Sequence, residues 1–427
     1  MLTIHWVGFD SGIAKKDRTL DYLNKTIAVV LAGGEGTRLH PLTIDRAKPA
    51  VPFGGKYRII DFTLSNCMHS GLRRVLVLTQ YKSHSLQKHL RDGWAIYNPE
   101  LGEYITPVPP QMRTGDSWYT GTADAVNQNT YIIERSDSDY VVILSGDHIY
   151  RMDYAAMLRS HMEHDAGLTV ACMKVPVSEA SAFGVMEVDE SSGFIKSFIE
   201  KPEQPTPCPN DEQHALVSMG IYVFSKKLLL ETLKYDASCI ESSHDFGKDI
   251  IPRLIDREKV HAYKFGSDMG RVKPDCYWRD VGTIDAYYQA NMDLLKPIPP
   301  LNLYQPDWHI RTYTGQNPPA RTVPGASGSE GITINSIVAS GAVVAGGSVQ
   351  ESILFSNVFV DDDAVVQNSV LFDDVTVGRG VHLSRCIVDK GVVIPDGEQI
   401  GLDIERDQER FVVSPEGVVV VPINTKF

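Results

Sequence analysis

The sequence lacks the features of several protein classes. No apolar run approaches the roughly 18 residues that a membrane-spanning helix needs, so no membrane partner is expected. None of the six cysteines belongs to a C-x-x-C pair, which argues against a disulfide framework or a zinc site and suits reduced thiols in a cytoplasmic protein. The first 25 residues have no long apolar core and mix acidic with basic side chains, so they match neither a secretory signal nor a transit peptide.

The chain also has fewer basic than acidic residues. The chain of 427 residues carries a formal net charge of −13, which argues against a partner of the nucleic-acid class. An anionic substrate must therefore meet positive charge that is concentrated locally. The length predicts more than one domain, and the hydrophobic content of 43% is ordinary for a globular protein.

The chemically richest stretch lies between positions 27 and 66. Residues 27–31 form a short continuous apolar run, which is typical of a strand buried on both faces of a parallel sheet. The sequence AGGEGTRL follows at once, and glycines at such a turn let backbone amides approach a phosphate closely. Arg38 and Lys48 add two fixed cations. Apolar residues at helical spacing over 59–70 predict the helix that closes this unit.

The glycine loop does not match the common nucleotide-binding patterns. Leu39 stands where the G-x-G-x-x-G dinucleotide fingerprint requires its third glycine, which excludes a plain NAD-binding protein, and the loop is not a P-loop either. The loop with Arg38, followed by the sequence RAKP, instead resembles the signature of sugar-nucleotide pyrophosphorylases. In that family the loop cradles a nucleoside triphosphate.

Two domains are predicted because the pattern of the sequence changes along the chain. Residues 26–295 alternate strand-like and helix-like segments, which predicts an α/β domain with a mostly parallel sheet between helices. Ligands of such folds sit at the carboxyl ends of strands, where the glycine loop and Asp147 fall. Crowded prolines and little periodicity predict a linker over 296–331, and residues 1–25 are expected to form an N-terminal arm.

Residues 332–427 are repetitive. The motifs SIV, SIL, SVL and CIV recur every 16 to 17 residues, and aliphatic residues lie about six apart within each interval. Three imperfect hexapeptides per coil are the pattern of a parallel β-helix. Because about four coils make a short solenoid, we expect this domain to dock on another surface or to self-associate, in a regulatory or oligomerisation role.

Several motifs of the first domain have a structural interpretation beside a functional one. The aromatic residues of WYTGTADA could stack on a purine or only pack. Asp147 ends an apolar strand, where it could cap a helix or hold Mg²⁺. Glu200 and Lys201 could form only a surface ion pair. Asp280 is a second candidate carboxylate, just before a helix start that Thr283 could cap.

Together these motifs resemble the bacterial type of the glucose-1-phosphate adenylyltransferase (ADP-glucose pyrophosphorylase) family, along nearly the whole chain. The pieces that carry the resemblance occur in the order of the family: GGEGTRL, RAKPA, FGGKYRIIDFTLSN, WYTGTADAV, SGDHIY, FGVMEV, FIEKP, SMGIYVF, DFGKDIIP and YWRDVGTIDAYYQAN. The resemblance implies a Rossmann-like nucleotidyltransferase domain followed by a left-handed parallel β-helix. It also implies transfer of AMP from ATP to glucose 1-phosphate, which gives ADP-glucose and pyrophosphate for glycogen synthesis.

The same resemblance implies roles for the matching residues. Arg38, Lys48 and Asp147 are the expected catalytic residues, and the expected cofactor is Mg²⁺, held by Asp147 and Asp280. The sequence leaves open whether Asp280 serves the sugar alone. The expected ATP-binding residues are Leu31, Ala32, Gly33, Gly34, Gly36, Thr37, Arg38, Tyr119, Gly121 and Asp147. The expected glucose 1-phosphate-binding residues are Tyr119, Gly184, Glu200, Lys201, Ser218 and Asp280.

Family members are typically homotetramers controlled by anionic metabolites, so fructose 6-phosphate, pyruvate, AMP and phosphate are the expected effectors. The matching allosteric candidates are Arg46, Arg58 and Arg385. Two positions depart from the family pattern, because Asp45 stands where some members have a basic residue and Pro52 replaces a polar or aromatic one. An acid next to Arg46 should weaken the attraction for a bisphosphate. The hypothesis is that a monophosphate or pyruvate, and not fructose 1,6-bisphosphate, is the preferred activator.

Three other functions are compatible with parts of the sequence. A non-catalytic regulatory subunit of the same fold is disfavoured because Arg38, Lys48, Asp147 and Lys201 are all present. A nucleotidyltransferase that uses UTP or dTTP would share the glycine loop, and the binding of labelled ATP against UTP would separate it. A bifunctional enzyme with an acyltransferase β-helix would find only His382 as a base in that domain.

Overall fold

The computed structural model describes residues 22–111, 118–266, 270–272 and 276–427. Most of the predicted N-terminal arm, up to residue 21, lies outside the described residues, and the predicted domain boundaries stay predictions. Across the described ranges, no helix has both the length and the apolar character that a membrane span requires.

The first domain is built from short strands and helices in alternation. Its strands are β1 (Thr26–Ala32), β2 (Pro52–Phe53), β3 (Tyr57–Arg58), β4 (Arg74–Thr79), β5 (Tyr104–Val108), β6 (Tyr140–Ser145), β7 (His148–Tyr150), β8 (Leu168–Pro176), β9 (Gly184–Val188), β10 (Ile195–Glu200), β11 (His214–Ser225), β12 (Val260–Lys264) and β13 (Trp278–Asp280). Its helices are α1 (Ile59–Ser70), α2 (His84–Gly93), α3 (Thr122–Asn127), α4 (Thr130–Arg135), α5 (Tyr154–Glu163), α6 (Val177–Ala180), α7 (Lys226–Asp236), α8 (Ile251–Ile255) and α9 (Ile284–Met292).

Strand β1 lies inside the parallel half of the main sheet, which runs in the order β5-β4-β1-β6. Successive residues of β1 lie on opposite faces of the sheet and pack into two different hydrophobic cores. Ala28 and Val30 pack with α1, α2 and α5, whereas Ile27 and Val29 pack with α3, α4 and α7 on the opposite face. Helices thus cover both faces of β1, which explains why its sequence is a continuous apolar run.

The other half of the main sheet is largely antiparallel. Strand β11 runs antiparallel to β6, β8 and β9, and β9 pairs with β10 as a hairpin, while β12 lies parallel to β8. The predicted α/β class is confirmed, and the sheet is mixed where a mostly parallel one was expected. Hairpin partners need only a short connection, whereas parallel neighbours need a long crossover. The short turn at residues 189–194, which joins β9 to β10, therefore makes these two strands antiparallel.

The helical segment that follows Asp245 is divided. It begins as a π-helical turn, Phe246–Ile250, and continues as α8. Pro252 at the start of α8 has no backbone N–H to donate, so the regular helical ladder cannot run through this point. Asp245 caps the turn, since its Oδ1 accepts hydrogen bonds from the amides of Gly247 (2.8 Å) and Lys248 (3.1 Å).

The second domain is a β-helix, as predicted. Its strands are β14 (Arg321–Val323), β15 (Ile332–Ile334), β16 (Ile337–Val338), β17 (Val343–Ala345), β18 (Ser348–Gln350), β19 (Ile353–Leu354), β20 (Phe359–Val360), β21 (Val365–Gln367), β22 (Val370–Leu371), β23 (Thr376–Val377), β24 (His382–Ser384), β25 (Cys386–Val388), β26 (Val393–Ile394), β27 (Gln399–Ile400), β28 (Val412–Val413) and β29 (Val419–Val421), with the short helix α10 (Ile404–Gln408) before β28.

These strands form three faces. The first is β14-β17-β20-β23-β26, the second is β15-β18-β21-β24-β27, and the third is β16-β19-β22-β25-β29, with parallel pairing throughout. Strand β28 adds to the third face in antiparallel orientation. Each face has at least five strands where about four coils were expected. The first face begins with β14, which lies within the segment 296–331 for which the sequence predicts a linker, and the third face ends with β29 at Val419–Val421.

A residue with left-handed backbone marks each corner of the β-helix. The first corner recurs at Asn335, Glu351, Asn368 and Arg385, the second at Gly341, Asn357, Asp374 and Gly391, and the third at Gly346, Asp363, Gly380 and Gly397, with φ between 43° and 80°. Glycine, asparagine and aspartate adopt this conformation at the least cost. The corner spacing equals the sequence repeat, so the repeat reflects backbone geometry as well as apolar packing.

The β-helix docks on the first domain through a shared apolar core. Ile353 and Val370 of its third face belong to one buried cluster with Tyr287 of α9. At the edge of this cluster Arg46 Nη1 donates to Asp389 Oδ1 at 2.8 Å, and both side chains are buried. A buried charge is tolerated only when it is paired. The pair therefore fixes how the two domains meet.

A cluster of histidines lies beneath the β9–β10 hairpin, away from the strand ends. The rings of His164 and His261 stack with centroids 3.8 Å apart, and His261 Nε2 lies 3.1 Å from Ser160 Oγ. His161 Nδ1 lies 2.8 Å from Thr169 Oγ1. Burial lowers the pKa of His161 and of His261 to about 4. The imidazoles of His161 and His261 are therefore neutral in the folded protein at neutral pH.

This cluster predicts a loss of stability in mild acid. Because the folded pKa is below that of an unfolded histidine, the unfolded chain binds more protons between pH 6.5 and pH 4, and the free energy of unfolding falls as the pH drops through that window. We expect about 1 kcal/mol per histidine between pH 7.5 and 5.5. Urea unfolding at both pH values should show a smaller difference in His161→Asn and His261→Gln than in the wild type. His84→Gln, which alters an exposed histidine, serves as the control, and an equal slope in all four proteins would contradict the assignment.

Candidate active site

A cleft of about 450 Å³ opens at the carboxyl ends of β1, β4 and β6. Its wall contains every residue that the sequence predicted to bind ATP, namely Leu31, Ala32, Gly33, Gly34, Gly36, Thr37, Arg38, Tyr119, Gly121 and Asp147. Lys48 lies in the same wall. Residues from three separate parts of the sequence thus meet where an α/β sheet places its ligands.

The glycine loop has one position, Gly36, whose backbone favours glycine, and a second, Gly33, where an added Cβ would be tightly packed. Gly36 is left-handed, with φ of 66°, and a Cβ there would lie 3.1 Å from Thr43 Cγ2 and 3.2 Å from Lys48 Cβ. Thr43 Oγ1 donates to the Gly36 carbonyl at 2.9 Å. A Cβ on Gly33 would lie 3.0 Å from Gln80 Cβ. By contrast, open space surrounds Gly34, which faces the cleft.

Lys48 forms the electrostatic centre of the cleft. Its Nζ donates to Asp147 Oδ2 and to Asp280 Oδ1, both at 2.8 Å, and the lysine side chain is 9% exposed. Burial alone would lower the pKa of Lys48, but the two carboxylates outweigh burial and raise it. Burial likewise works to raise the pKa of Asp147, and Lys48 overcomes this and holds it well below its usual range. Lys48 and Asp147 are therefore both charged at neutral pH.

The two aspartates meet through a short ribbon that stands apart from the main sheet. Strand β13 pairs antiparallel with β7, and this register places Asp280 opposite His148. Asp147 directly precedes β7 in the chain. Its Oδ1 also accepts a hydrogen bond from Ser145 Oγ at the end of β6. The pairing of two three-residue strands therefore brings together carboxylates that are far apart in the sequence.

Asp147, His148 and Asp280 could hold a metal ion, and no other group of three acidic, histidine or cysteine side chains in the described residues has suitable spacing. One potential ligand atom from each residue lies within 4.8 Å of the other two. Carboxylate oxygens are the donors that Mg²⁺ prefers. His148 Nδ1 is buried and has no hydrogen-bond partner among the described residues, and the ring packs edge-on against Trp278. The carboxylate pair thus fits a hard divalent cation.

Arg38 lies at the exposed rim of the cleft, in the turn Thr37–Leu39. A Cβ on Gly282 would be 3.1 Å from Arg38 Nη2 and 3.1 Å from each carboxylate oxygen of Asp280. The guanidinium is therefore next to the segment that carries the second aspartate. It forms no ion pair within 4 Å among the described residues, so its charge faces the opening of the cleft.

The residues predicted to bind the sugar phosphate adjoin the cleft beside Asp245. A Cβ on Gly184 would lie 2.7 Å from Glu200 Oε2, and one on Gly247 would lie 2.4 Å from the same atom. The two glycines thus leave just enough room for the Glu200 carboxylate. Burial raises the pKa of Glu200 above its usual value, and Lys201 Nζ lies 3.6 Å from its Oε1.

Lys201 and Ser218 complete this group. Lys201 has φ of 49°, a left-handed conformation that a side chain rarely adopts and that costs about 1 kcal/mol or more. Its side chain is exposed. Ser218 is buried on β11, and its Oγ accepts a hydrogen bond from the Gly220 amide at 3.2 Å.

The two aromatic residues of the motif WYTGTADA make different contacts. Tyr119 lines the cleft, and its hydroxyl accepts a hydrogen bond from Asn129 at 3.0 Å. Trp118 stacks on Tyr81, with centroids 4.8 Å apart, so it packs against protein. A Cβ on Gly121 would be 2.2 Å from the His244 carbonyl oxygen, which explains the glycine at the start of α3.

The cleft includes residues that sequence reasoning missed. Gln80 lies directly after β4 and its Nε2 donates to the Tyr119 carbonyl at 3.4 Å. Asp245 accepts a hydrogen bond from Thr122 Oγ1 at 3.0 Å and also lines the cleft. Ser145 ends β6. A polar residue directly after a buried strand was the available signal for Gln80, and the acid before the glycine in DFGKD was the signal for Asp245.

The three allosteric candidates do not form one cluster. Arg46 is paired with Asp389, and Arg58, whose pKa is lowered by burial, donates from Nη1 to the Ala50 carbonyl at 2.6 Å. Arg385 instead contacts Glu416 and lies over the ring of Tyr288 at 5.3 Å. Its place at a corner of the β-helix directs it to those partners.

A second cavity, of about 850 Å³, lies between the domains. Arg58 and Lys390 line it, whereas neither Arg46 nor Arg385 does. Lys390 Nζ lies 2.7 Å from Asp373 Oδ2, and burial lowers the pKa of this lysine. Sequence reasoning missed Lys390, for which no motif gave a signal.

Comparison with known families divides the chain in two. Residues 27–297 match the family described as "Nucleotidyl transferase", and residues 318–421 match the family described as "GlmU-like, C-terminal hexapeptide". The first match includes all the residues that line the cleft, and the second covers the β-helix.

Curated relatives resemble the chain over almost its whole length. The "Glucose-1-phosphate adenylyltransferase 2" of Vibrio cholerae is 62% identical over 95% of this chain and 99% of its own length. The protein of the same name from Vibrio parahaemolyticus is 64% identical over 95% of this chain and 100% of its own. That of Vibrio vulnificus is 64% identical over 94% and 99%.

Proposed function

Because this chain belongs to the nucleotidyl transferases and, among them, to the glucose-1-phosphate adenylyltransferase family, we propose that it transfers AMP from ATP to glucose 1-phosphate. The products are ADP-glucose and pyrophosphate, and the glucosyl donor serves glycogen synthesis. The observation that carries the proposal is the cleft in which a glycine loop, Lys48 and two aspartates converge.

The reaction needs positioning and charge more than it needs a base. The nucleophile is an oxygen of the sugar phosphate, which is already ionised at neutral pH. It forms a bond to the α-phosphorus of ATP as the bond from that phosphorus to the bridging oxygen of pyrophosphate breaks. Since an anion attacks an anion, the barrier is largely electrostatic, and catalysis consists of alignment and charge neutralisation.

The chain supplies cations on both sides of the reacting phosphorus. Backbone amides of Gly33, Gly34 and Gly36 hold the triphosphate in the open half of the cleft. Arg38, whose charge faces the opening, stabilises the departing pyrophosphate. Lys48, the most buried cation of the site, stabilises the phosphate charge near the α-phosphorus.

The residues fit Mg²⁺ as the cofactor, held by the carboxylates of Asp147 and Asp280. When bound, such an ion neutralises phosphate charge and polarises the phosphoryl oxygen. The protein's contribution is the β7–β13 ribbon, which holds both carboxylates against Lys48 in the cleft wall.

The sugar phosphate occupies the adjoining pocket. Lys201 pairs with its phosphate, and the Glu200 carboxylate accepts hydrogen bonds from the glucose hydroxyls in the gap between Gly184 and Gly247. Tyr119, Ser218 and Asp280 complete the walls around the ring. Asp280, which accepts a hydrogen bond from Lys48 at the cleft, is proposed to contact the sugar as well as the metal ion.

Regulation and assembly follow the family expectation. The proposed effectors are fructose 6-phosphate, pyruvate, AMP and phosphate, which bind near Arg46 and Arg58 at the domain boundary, with Arg385 at the β-helix corner. The proposed assembly is a cytoplasmic homotetramer. Sedimentation velocity tests it, and a monomer at micromolar concentration would exclude it.

The first prediction concerns Asp147. The variant Asp147→Asn keeps the shape but removes one charge of the pair, so pyrophosphate release from ATP and glucose 1-phosphate should fall roughly 100- to 1,000-fold in kcat. The control is Asp165→Asn, which changes an exposed aspartate outside the cleft. Activity of the wild type with UTP equal to that with ATP, or no activity at all, would contradict the proposal.

The second prediction concerns the pocket for glucose. In Gly247→Ala the new methyl group would displace the Glu200 carboxylate, the mobile end of a side chain, so the fold should persist. KM for glucose 1-phosphate should rise roughly 10- to 100-fold, as in Glu200→Gln, because hydrogen bonds to a charged group are lost. KM for ATP and the melting temperature should change little. A larger effect on ATP than on glucose 1-phosphate would show that Glu200 serves the other substrate.

The third prediction concerns the activator. Asp45 is exposed beside Arg46, whose charge is already neutralised by Asp389. Fructose 6-phosphate or pyruvate should therefore activate more strongly than fructose 1,6-bisphosphate. Asp45→Asn should increase the response to the bisphosphate most, because it removes a repelling charge. An effector panel on the wild type that ranks the bisphosphate first would overturn the hypothesis.

A further inference from the structure

The contacts of Lys48 conflict with the metal site. Its ammonium donates to one oxygen of Asp147 and one of Asp280, both at 2.8 Å. The same two carboxylates, with His148, are the group whose spacing suits a metal ion. A bound Mg²⁺ lies 2.0–2.1 Å from its oxygen ligands. The ammonium holds one oxygen of each carboxylate and lies between them, so a divalent ion bound by the same pair would compete with it for the carboxylates and be repelled by its charge.

The protein therefore already contains a cation at the metal site. The lysine side chain is 9% exposed, its two hydrogen bonds are well formed, and it neutralises part of the charge that would otherwise attract a divalent ion. Lys48 belongs to the turn Lys48–Ala50, which directly borders the glycine loop through Gly36. Its flexible side chain lines the cleft, so an anion bound to the loop amides lies within its reach.

We propose that Lys48 occupies the metal position in the free enzyme and leaves it when phosphate groups enter the cleft. In the free protein Lys48 holds Asp147 and Asp280 together. An anionic phosphate on the glycine loop offers the ammonium an alternative partner, and the carboxylates become available to the divalent ion. Metal and nucleotide binding are then positively coupled through one side chain. This inference extends the proposed function, but its test does not require turnover.

The test is the affinity of the nucleotide-free protein for Mn²⁺, measured by the loss of the free-ion signal in electron paramagnetic resonance. The wild type should bind Mn²⁺ weakly. Lys48→Gln and Lys48→Met should each bind it at least about tenfold more tightly, because a competing charge is gone while both carboxylates remain. Lys48→Arg should stay close to the wild type. Lys48→Gln combined with Asp147→Asn should lose the gain.

Lys201→Gln is the matched control. It removes a cation of the neighbouring pocket whose ion pair is with Glu200, and it should leave Mn²⁺ affinity unchanged. Mn²⁺ should also raise the melting temperature of Lys48→Gln and Lys48→Met more than that of the wild type. This second readout confirms that the ion binds the folded variants.

Equal or weaker Mn²⁺ binding by both neutral variants would overturn the inference. That result together with normal synthesis of ADP-glucose by the wild type would leave the proposed function intact. Conversely, tighter Mn²⁺ binding in the variants of a protein that makes no ADP-glucose would support the inference and remove the function. The proposed function and the inference about Lys48 can therefore be contradicted independently of each other.

Discussion

The cleft depends on one ammonium that holds two carboxylates together. Lys48 pairs with Asp147 and Asp280, which lie 99 and 232 residues further along the chain. Two ionised carboxylates at this separation repel each other unless a cation lies between them. The bridge thus joins the turn after the glycine loop to β7 and β13. The glycine loop also contacts this junction, since a Cβ on Gly36 would lie 3.2 Å from Lys48 Cβ.

The same ribbon connects the cleft to the boundary between the domains. Directly after β7, Arg151 donates from Nη1 to Gln305 Oε1 at 2.8 Å and from Nη2 to the Asn302 carbonyl at 2.6 Å. Asn66 of α1 accepts hydrogen bonds from the Met152 amide and from Trp308 Nε1. These contacts attach the segment 302–308 to the chain directly after β7, the strand that Asp147 precedes. The interdomain cavity is lined by the same segment at Leu303 and Tyr304, so both cavities border one continuous stretch of structure.

The parts of the site that sequence predicted are those whose chemistry is local. The glycine loop, with Arg38 and Lys48 close by, carries its signal within 20 residues, and all the predicted ATP-binding residues do line the cleft. The β-helix could be predicted from the sequence equally well, because its corners repeat at a fixed spacing. By contrast, the meeting of Asp280 with Asp147 depends on the pairing of two three-residue strands, which have no periodicity to detect. Gln80 was missed because its position follows from the order of strands in the sheet. Arg385 was grouped with Arg46 by motif alone, whereas the coil geometry directs it to Glu416.

The charge balance of the cleft explains why one lysine can serve two partners in turn. Lys48 contributes one positive charge and the aspartates two negative charges, so the trio carries a net charge of −1 in a chain whose net charge is −13. A triphosphate would be repelled by this trio on its own. A divalent ion bound together with the nucleotide would change this balance, because it would neutralise both carboxylates and leave the ammonium to pair with the phosphates. On this proposal the same three side chains form a closed group in the free protein and would supply positive charge once the substrate brings its own cation. The chain has a net charge of −13, and one buried lysine that pairs first with the carboxylates and then with the phosphates provides positive charge to both without further basic residues.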